Sequence, residues 1–246
     1  MLPLCQAAVS RGLAGVAFTD HCDVDAGRDA CFGVINGLKS EVASLREAFD
    51  GILEISVGCE LGEPHHDVPL SREILADGDI DFVIGSLHRR RGDLDYHDID
   101  YDRADIDAMM RGYYEELLEL AESGCYDVLG HINYQERYMS ESARCRLDLS
   151  SYGGEVLEIL KVVASAGKGI EVNSSGLGRG LGHPLPDADV LEAFRRVGGE
   201  VLTIGSDAHI AARVGGELDG AVKFLKGAGF GRFAFFKGRK PSFHDV

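Results

Sequence analysis

A chain of 246 residues, 45% hydrophobic and 27% charged, has ordinary globular composition and enough length for one large core. Its 25 Lys and Arg against 41 Asp and Glu give a formal charge of −16, which would repel a polyphosphate backbone, so nucleic acid is not an expected partner. No run of 18 apolar residues would span a membrane, Arg11 follows the first apolar stretch instead of leading it as in a signal peptide, and Cys5, Cys22, Cys31, Cys59, Cys125 and Cys145 form no C-x-x-C pair; reduced thiols and a cytoplasmic location are expected.

Leu2 to Arg11 reads as a short helix, after which Gly12 and Gly15 bracket a turn into the buried strand Val16-Ala17-Phe18. A loop with Asp23, Asp25 and Gly27 leads to a helix from about Val34 to Phe49, in which Leu38, Val42, Leu45 and Phe49 keep three-to-four spacing. Ile52 to Val57 is strand-like and ends at Gly58-Cys59-Glu60. Asp81 to Ile84 is the next strand and runs into Gly85-Ser86-Leu87-His88. Asp102 to Ser123 is a long amphipathic helix with Met109, Tyr113, Leu117 and Leu120 on one stripe, stopped by Gly124. Asp127-Val128-Leu129 is a strand ending at Gly130-His131. Glu155 to Ala166 is a helix closing at Gly167, and Gly169 to Asn173 is a strand. A helix from Asp187 to Val197, a strand from Val201 to Ile204 ending at Gly205-Ser206-Asp207-Ala208-His209, a helix near Gly216 to Lys226 and a strand from Phe233 to Phe236 complete the chain.

Short apolar strands alternating with helices are the βαβ signature of an α/β protein, whose parallel sheet is buried on both faces. At this length an open doubly wound sheet and a closed barrel both fit, and the absence of a G-x-G-x-x-G between strand and helix weakens the dinucleotide-binding version. No linker, repeat or low-complexity tract divides residues 1–246, which read as a single domain.

The informative pattern is the position of potential ligands. His21, Glu60, His88, His131, Asp207 and His209 each follow a predicted strand, and in a parallel barrel all strand C-termini share one face. Taken singly, each is well explained as a turn residue or helix cap. Six at equivalent positions are hard to treat as accidents, and a mixed imidazole and carboxylate set suits divalent zinc, iron or manganese.

Thr19-Asp20-His21, Gly58-Cys59-Glu60, Gly85-Ser86-Leu87-His88, Gly130-His131, Glu171-Val172-Asn173 and Gly205-Ser206-Asp207-Ala208-His209 resemble the ordered motifs of the PHP (polymerase and histidinol phosphatase) superfamily, over roughly residues 5 to 230. Within it, Asp81 to His88, Tyr114 to Ile132 and Glu171 to Leu177 resemble the histidinol-phosphatase branch more than the polymerase-associated modules. The resemblance implies a distorted (β/α)7 TIM-like barrel with up to three divalent ions (Zn, Fe or Mn) that acidify water and offset phosphoryl charge. In that arrangement Glu60 would bridge two ions, with His88 and His131 completing one site. Asp207 would belong to another, and His21 and His209 to the third. The implied activity is hydrolysis of a small phosphate monoester, L-histidinol phosphate in histidine biosynthesis. The alternatives are another small phosphate ester and a metal- or partner-binding barrel without turnover; the oligomeric state is left open.

The family opens with a strand bearing His-x-His, whereas no His precedes His21 here. The fold is therefore expected with its first strand missing: either that segment is encoded upstream of Met1, the reading the intact downstream motifs favour, or the protein is truly short and has lost or rebuilt its active centre. For the chain as written a hydrophobic slot is expected beside the Val16–Thr19 strand. Arg179, in a glycine-rich segment past a strand end, is the first candidate for gripping phosphate and Arg137 the second, with a solvated surface arginine the alternative for each. Glu171 and Asn173 could orient a metal ligand or the substrate amine, or simply be polar core residues. His65-His66 and the Asp23/Asp25 pair could stand in as ligands but read as exposed loop residues, and Arg89-Arg90-Arg91 reads as a solvated loop.

Overall fold

The structure is a computed structural model that describes residues 1–139 and 149–246; Cys145 lies outside the described residues. Helix α1 (Leu2–Ser10) precedes strand β1 (Gly15–Phe18) and the short strand β2 (His21–Asp23). Helix α2 (Arg28–Ala48) leads to β3 (Glu54–Gly62), α3 (Val68–Leu75) to β4 (Phe82–Ser86) and α4 (Ile106–Ser123) to β5 (Val128–Leu129). After a single turn, α5 (Glu136–Met139), come α6 (Gly153–Ser165), β6 (Gly169–Asn173), a second single turn α7 (Ser175–Gly178), α8 (Ala188–Arg196), β7 (Val201–Gly205) and α9 (Leu218–Gly227). Side chains fix several helix starts: Asp67, Asp105 and Asp187 each accept a backbone N–H three residues on, so α4 and α8 begin just after an N-cap.

Strands β1 to β7 form one parallel sheet in the order β1-β3-β4-β5-β6-β7, with β2 continuing alongside β3. The curled sheet, with helices in the connections, is a distorted TIM-like α/β barrel. β1 and β2 act as one edge strand broken at Thr19-Asp20, and the Glu60 amide donates to the Asp20 carbonyl across the break at 3.1 Å. Gly58 lies opposite that break, where a Cβ would sit 2.5 Å from Thr19 Cγ2 and 2.7 Å from the Phe18 carbonyl oxygen. Continued pairing carries β3 to Gly62, beyond the Val57 end expected from its apolar run.

Phe233–Phe236 does not extend the parallel pattern. It lies in β8 (Arg232–Lys237), which pairs antiparallel with a strand the sequence pattern did not reveal, β9 (Lys240–Asp245). The connection puts Gly238 and Arg239 at φ 51° and 62°, the positive-φ pair of a two-residue hairpin turn whose twist matches the strands. The hairpin seals the N-terminal ends of the strands. Phe236 stacks on Phe82 with ring centres 4.9 Å apart, the Gly238 amide donates to Asp81, and Arg239 grips both oxygens of Asp127.

The largest apolar cluster packs α4, α6, α8 and α9 against β5 and β6, and a second packs α2 and α3 against β3. Between the unjoined sheet ends β1 and β7 lies a cavity of about 690 Å³, lined by Val16, Ala17 and Phe18 on one side and Thr203 and Ile204 on the other. It corresponds to the slot expected beside the Val16–Thr19 strand. Among the described residues no helix is long and apolar enough to cross a membrane, and Cys5, Cys22, Cys31, Cys59 and Cys125 are free and buried.

Candidate metal centre

Parallel register explains why the candidate ligands meet. His21 pairs with Glu60 across β2 and β3, and Glu60 with Ile84 of β4, whose end delivers Ser86 and then His88. Glu60 thus sits inside β3 as the hub. Its Oε1 accepts the Ser86 hydroxyl at 2.7 Å and lies 3.1 Å from His88 Nε2 and 2.9 Å from His131 Nε2. Its Oε2 is 3.5 Å from His21 Nδ1. Ligand atoms of His21, Glu60 and His88 all lie within 4.8 Å of one another. The rings of His21 and His131 are centred 5.2 Å and 5.3 Å from that of His88.

The electrostatics follow from crowding an acid among bases out of water. Burial alone would raise the Glu60 carboxyl, but hydrogen bonds from His131 and His88 outweigh it and hold it well below the usual range. For His88, burial favours the neutral ring and Glu60 outweighs it, raising the imidazole to about 9. Glu63, fully buried at the β3 end, accepts the His88 amide at 2.7 Å and the Arg89 amide at 3.3 Å. Tyr134 walls the site, its ring 4.7 Å from His131 and 5.1 Å from His88.

The facing side is built on β6 and β7. Glu171 Oε2 accepts the His131 amide at 2.9 Å and the Asn173 side-chain amide at 3.2 Å. Burial pushes the Glu171 carboxyl above its usual range despite the neighbouring His131. Asp207 stands at φ 50°, a left-handed backbone unusual for a side chain other than Asn or Asp. Its Oδ2 is 2.7 Å from the Arg137 guanidinium, and its Oδ1 is 3.5 Å from His209 Nδ1. Burial would raise the Asp207 carboxyl, but Arg137 overrides it and leaves it below the usual range. His209 is 70% exposed and His21 53% exposed, their rings 6.1 Å apart on the open rim.

The structure therefore gathers His21, Glu60, His88 and His131 around one carboxylate and sets Asp207 and His209 on the opposite rim, with Glu171 and Asn173 lining the cavity between. Arg179 is exposed at the end of α7 and does not line the cavity. Arg137 is not a solvated arginine: it is 3% exposed because it is drawn in by the Asp207 charge and the Tyr134 ring. His65 and His66 are not exposed loop residues either, each side chain being 3% exposed because both turn inward onto Glu116. Nor is Arg89 simply solvated; it reaches Asp23, Asp25 and Glu63 at 3.5–3.8 Å. The pattern of strand-end ligands did not single out Glu63, Tyr134 or Glu116. The one signal for Glu63 is an acid placed where an apolar strand ends, which a turn residue would share.

A histidine-carboxylate cluster at the C-terminal ends of an α/β barrel's strands defines the class of divalent-metal barrel proteins. Residues 1–175 match the PHP domain family, and the chain belongs to that family. It is 28% identical over 242 residues to the Deinococcus radiodurans protein named "Probable histidinol-phosphatase", covering 96% of this chain and 89% of that protein. The histidinol-phosphatase of Lactococcus lactis subsp. lactis is 28% identical over 240 residues, covering 95% and 87%. A solved structure of the histidinol phosphate phosphatase from Lactococcus lactis, complexed with zinc, L-histidinol and phosphate, matches with a TM-score of 0.81 at 25% identity, covering 98% of this chain and 92% of that one.

Proposed function

We propose that this protein is a metal-dependent phosphoric monoester hydrolase that converts L-histidinol phosphate to L-histidinol and phosphate, a step of histidine biosynthesis. The observation that carries the proposal is the convergence of three imidazoles on the Glu60 carboxylate at the mouth of a cavity, in a fold shared with a relative that holds zinc, L-histidinol and phosphate. The donor set passes a chemical test of fit. Nitrogen and carboxylate oxygen atoms already stand within ligating reach of one another, and such mixed sets accept zinc, iron or manganese.

In this reading Glu60, His88 and His131 would hold one ion, Asp207 with Glu60 would hold a second, and His21 with His209 would hold a third at the rim. When bound, the ions supply an acidified water and positive charge against the phosphoryl oxygens. The chain's own residues do the positioning. Glu171 fixes His131 through its backbone amide and holds Asn173 beside Asp207, so one buried carboxylate aligns both sides of the cavity. Arg137 pins one Asp207 oxygen and leaves the other facing His209. Glu171 and Asn173, which line the cavity, are the groups assigned to the substrate amine and hydroxyl. Arg179 would reach phosphate only from outside the lining. The free buried thiols suit a reducing compartment, and we assign the protein to the cytoplasm.

The test is phosphate release from L-histidinol phosphate and a panel of other small monoesters, after chelation and reloading with zinc or manganese. The expected outcome is activity that chelator abolishes and metal restores, with kcat/KM highest for histidinol phosphate, and loss of at least about a hundredfold in Glu60→Gln. Equal rates on all esters would defeat the substrate assignment. No release with any metal would defeat the hydrolase reading and leave a metal-binding barrel without turnover.

A further inference from the structure

A second cluster of metal-type ligands lies outside the strand-end site. The loop between β3 and α3 carries His65 and His66, and α4 presents Glu116 to both. The Nε2 atoms of His65 and His66 lie 3.0 Å and 3.1 Å from the same oxygen, Glu116 Oε2. Ligand atoms of all three residues lie within 4.8 Å of one another, and the two rings are centred 4.4 Å apart at 64°. His66 Nδ1 is 3.1 Å from both oxygens of Asp25. His65 Nδ1 is buried and has no hydrogen-bond partner. The Arg91 amide donates to Glu116 at 2.9 Å and 3.2 Å, and the Arg91 guanidinium donates to the carbonyls of His65 and His66 at 3.4 Å each.

Hydrogen bonds alone account poorly for this set. Glu116 Oε2 would have to accept from both rings and the Arg91 amide, one donor more than its two lone pairs serve, and His66 would need a proton on both nitrogens to serve Glu116 and Asp25 together. A cation accounts for it directly. Two neutral imidazoles offer Nε2 lone pairs, Glu116 offers Oε2, and Asp25 accepts Nδ1–H of His66, the carboxylate-histidine-metal relay that orients ligating rings.

We propose that His65, His66 and Glu116 form a separate divalent-metal site of the zinc type, with Asp25 orienting His66. Two nitrogens and one oxygen are a zinc donor set with one position left for water. An ion there would clasp to α4 the same β3–α3 loop whose Glu63 supports His88. The inference does not depend on the hydrolase reading.

The experiment is anomalous diffraction from zinc-equilibrated crystals above and below the zinc edge, paired with zinc equivalents per chain after dialysis in solution. The expected result is a peak bounded by His65 Nε2, His66 Nε2 and Glu116 Oε2. Glu116→Gln should lose that peak and one equivalent in solution while keeping the zinc beside Glu60. Absence of the peak in wild-type crystals would overturn the proposal and leave a hydrogen-bonded imidazolium cluster. A peak in crystals with equal solution stoichiometry in wild type and Glu116→Gln would overturn it too, as binding at crystal concentration only. Should Glu116→Gln fail to fold, judged by circular dichroism, His66→Gln supplies the comparison.

Discussion

Replacing Arg137 with methionine separates two roles for a buried arginine. The guanidinium is 3% exposed and its partner Asp207 17% exposed, so water screens the pair little. Removing one member of such a pair strands the other charge, at a cost of about 3–5 kcal/mol. For a chain of this size each kcal/mol is worth roughly 2–4 °C, so chelator-treated Arg137→Met should melt roughly 6–20 °C below wild type. Adding zinc should shrink the gap to less than half, because an ion held by Asp207 offsets the stranded carboxylate. The double variant Arg137→Met/Asp207→Asn should lose less than Arg137→Met alone, since no charge is then buried without a partner. Thermal melts by circular dichroism, with chelator and with zinc, read all three. A melting temperature within about 2 °C of wild type in chelator, together with a raised KM for the phosphate ester, would refute the reasoning and return Arg137 to the role of phosphate clamp.

Gly58→Ala should destabilise the chain by about 1–3 kcal/mol, because the added methyl meets the Phe18 backbone, which cannot step aside; an unchanged urea midpoint would contradict this. His183, 3.4 Å from Glu136, is raised from 6.5 to about 9 chiefly by that contact, so its contribution of at most about 3 kcal/mol is complete below the lower value and fades as pH climbs through the upper. Wild type and His183→Gln should therefore differ in urea stability at about pH 6 and converge at about pH 10, and a constant gap would count against the pairing. Arg239→Met strands the buried Asp127 and should cost about 3–5 kcal/mol and open the β8–β9 hairpin to limited proteolysis; equal cleavage rates would show that the Phe82–Phe236 stack holds the hairpin unaided.

The sequence carried the parallel pattern and most of its strands by itself, because strands buried on both faces must be short and apolar and their ends must turn. It also marked Glu60, His88, His131 and Asp207, since a polar side chain next to an apolar run stands out without any coordinates. What it could not carry was pairing across distance. Nothing local says that β3 continues to Gly62; the neighbour β2 holds it there. Nothing in Phe233–Phe236 distinguishes one more barrel strand from half of a hairpin, a choice made by Arg239 reaching Asp127, 112 residues away in the chain. The same holds for His65, His66 and Arg137, whose side chains face solvent or core according to where Glu116 and Asp207 stand. Hydrophobic periodicity records which face of an element is buried, whereas the burial of a charge depends on a partner that only the folded chain brings within reach.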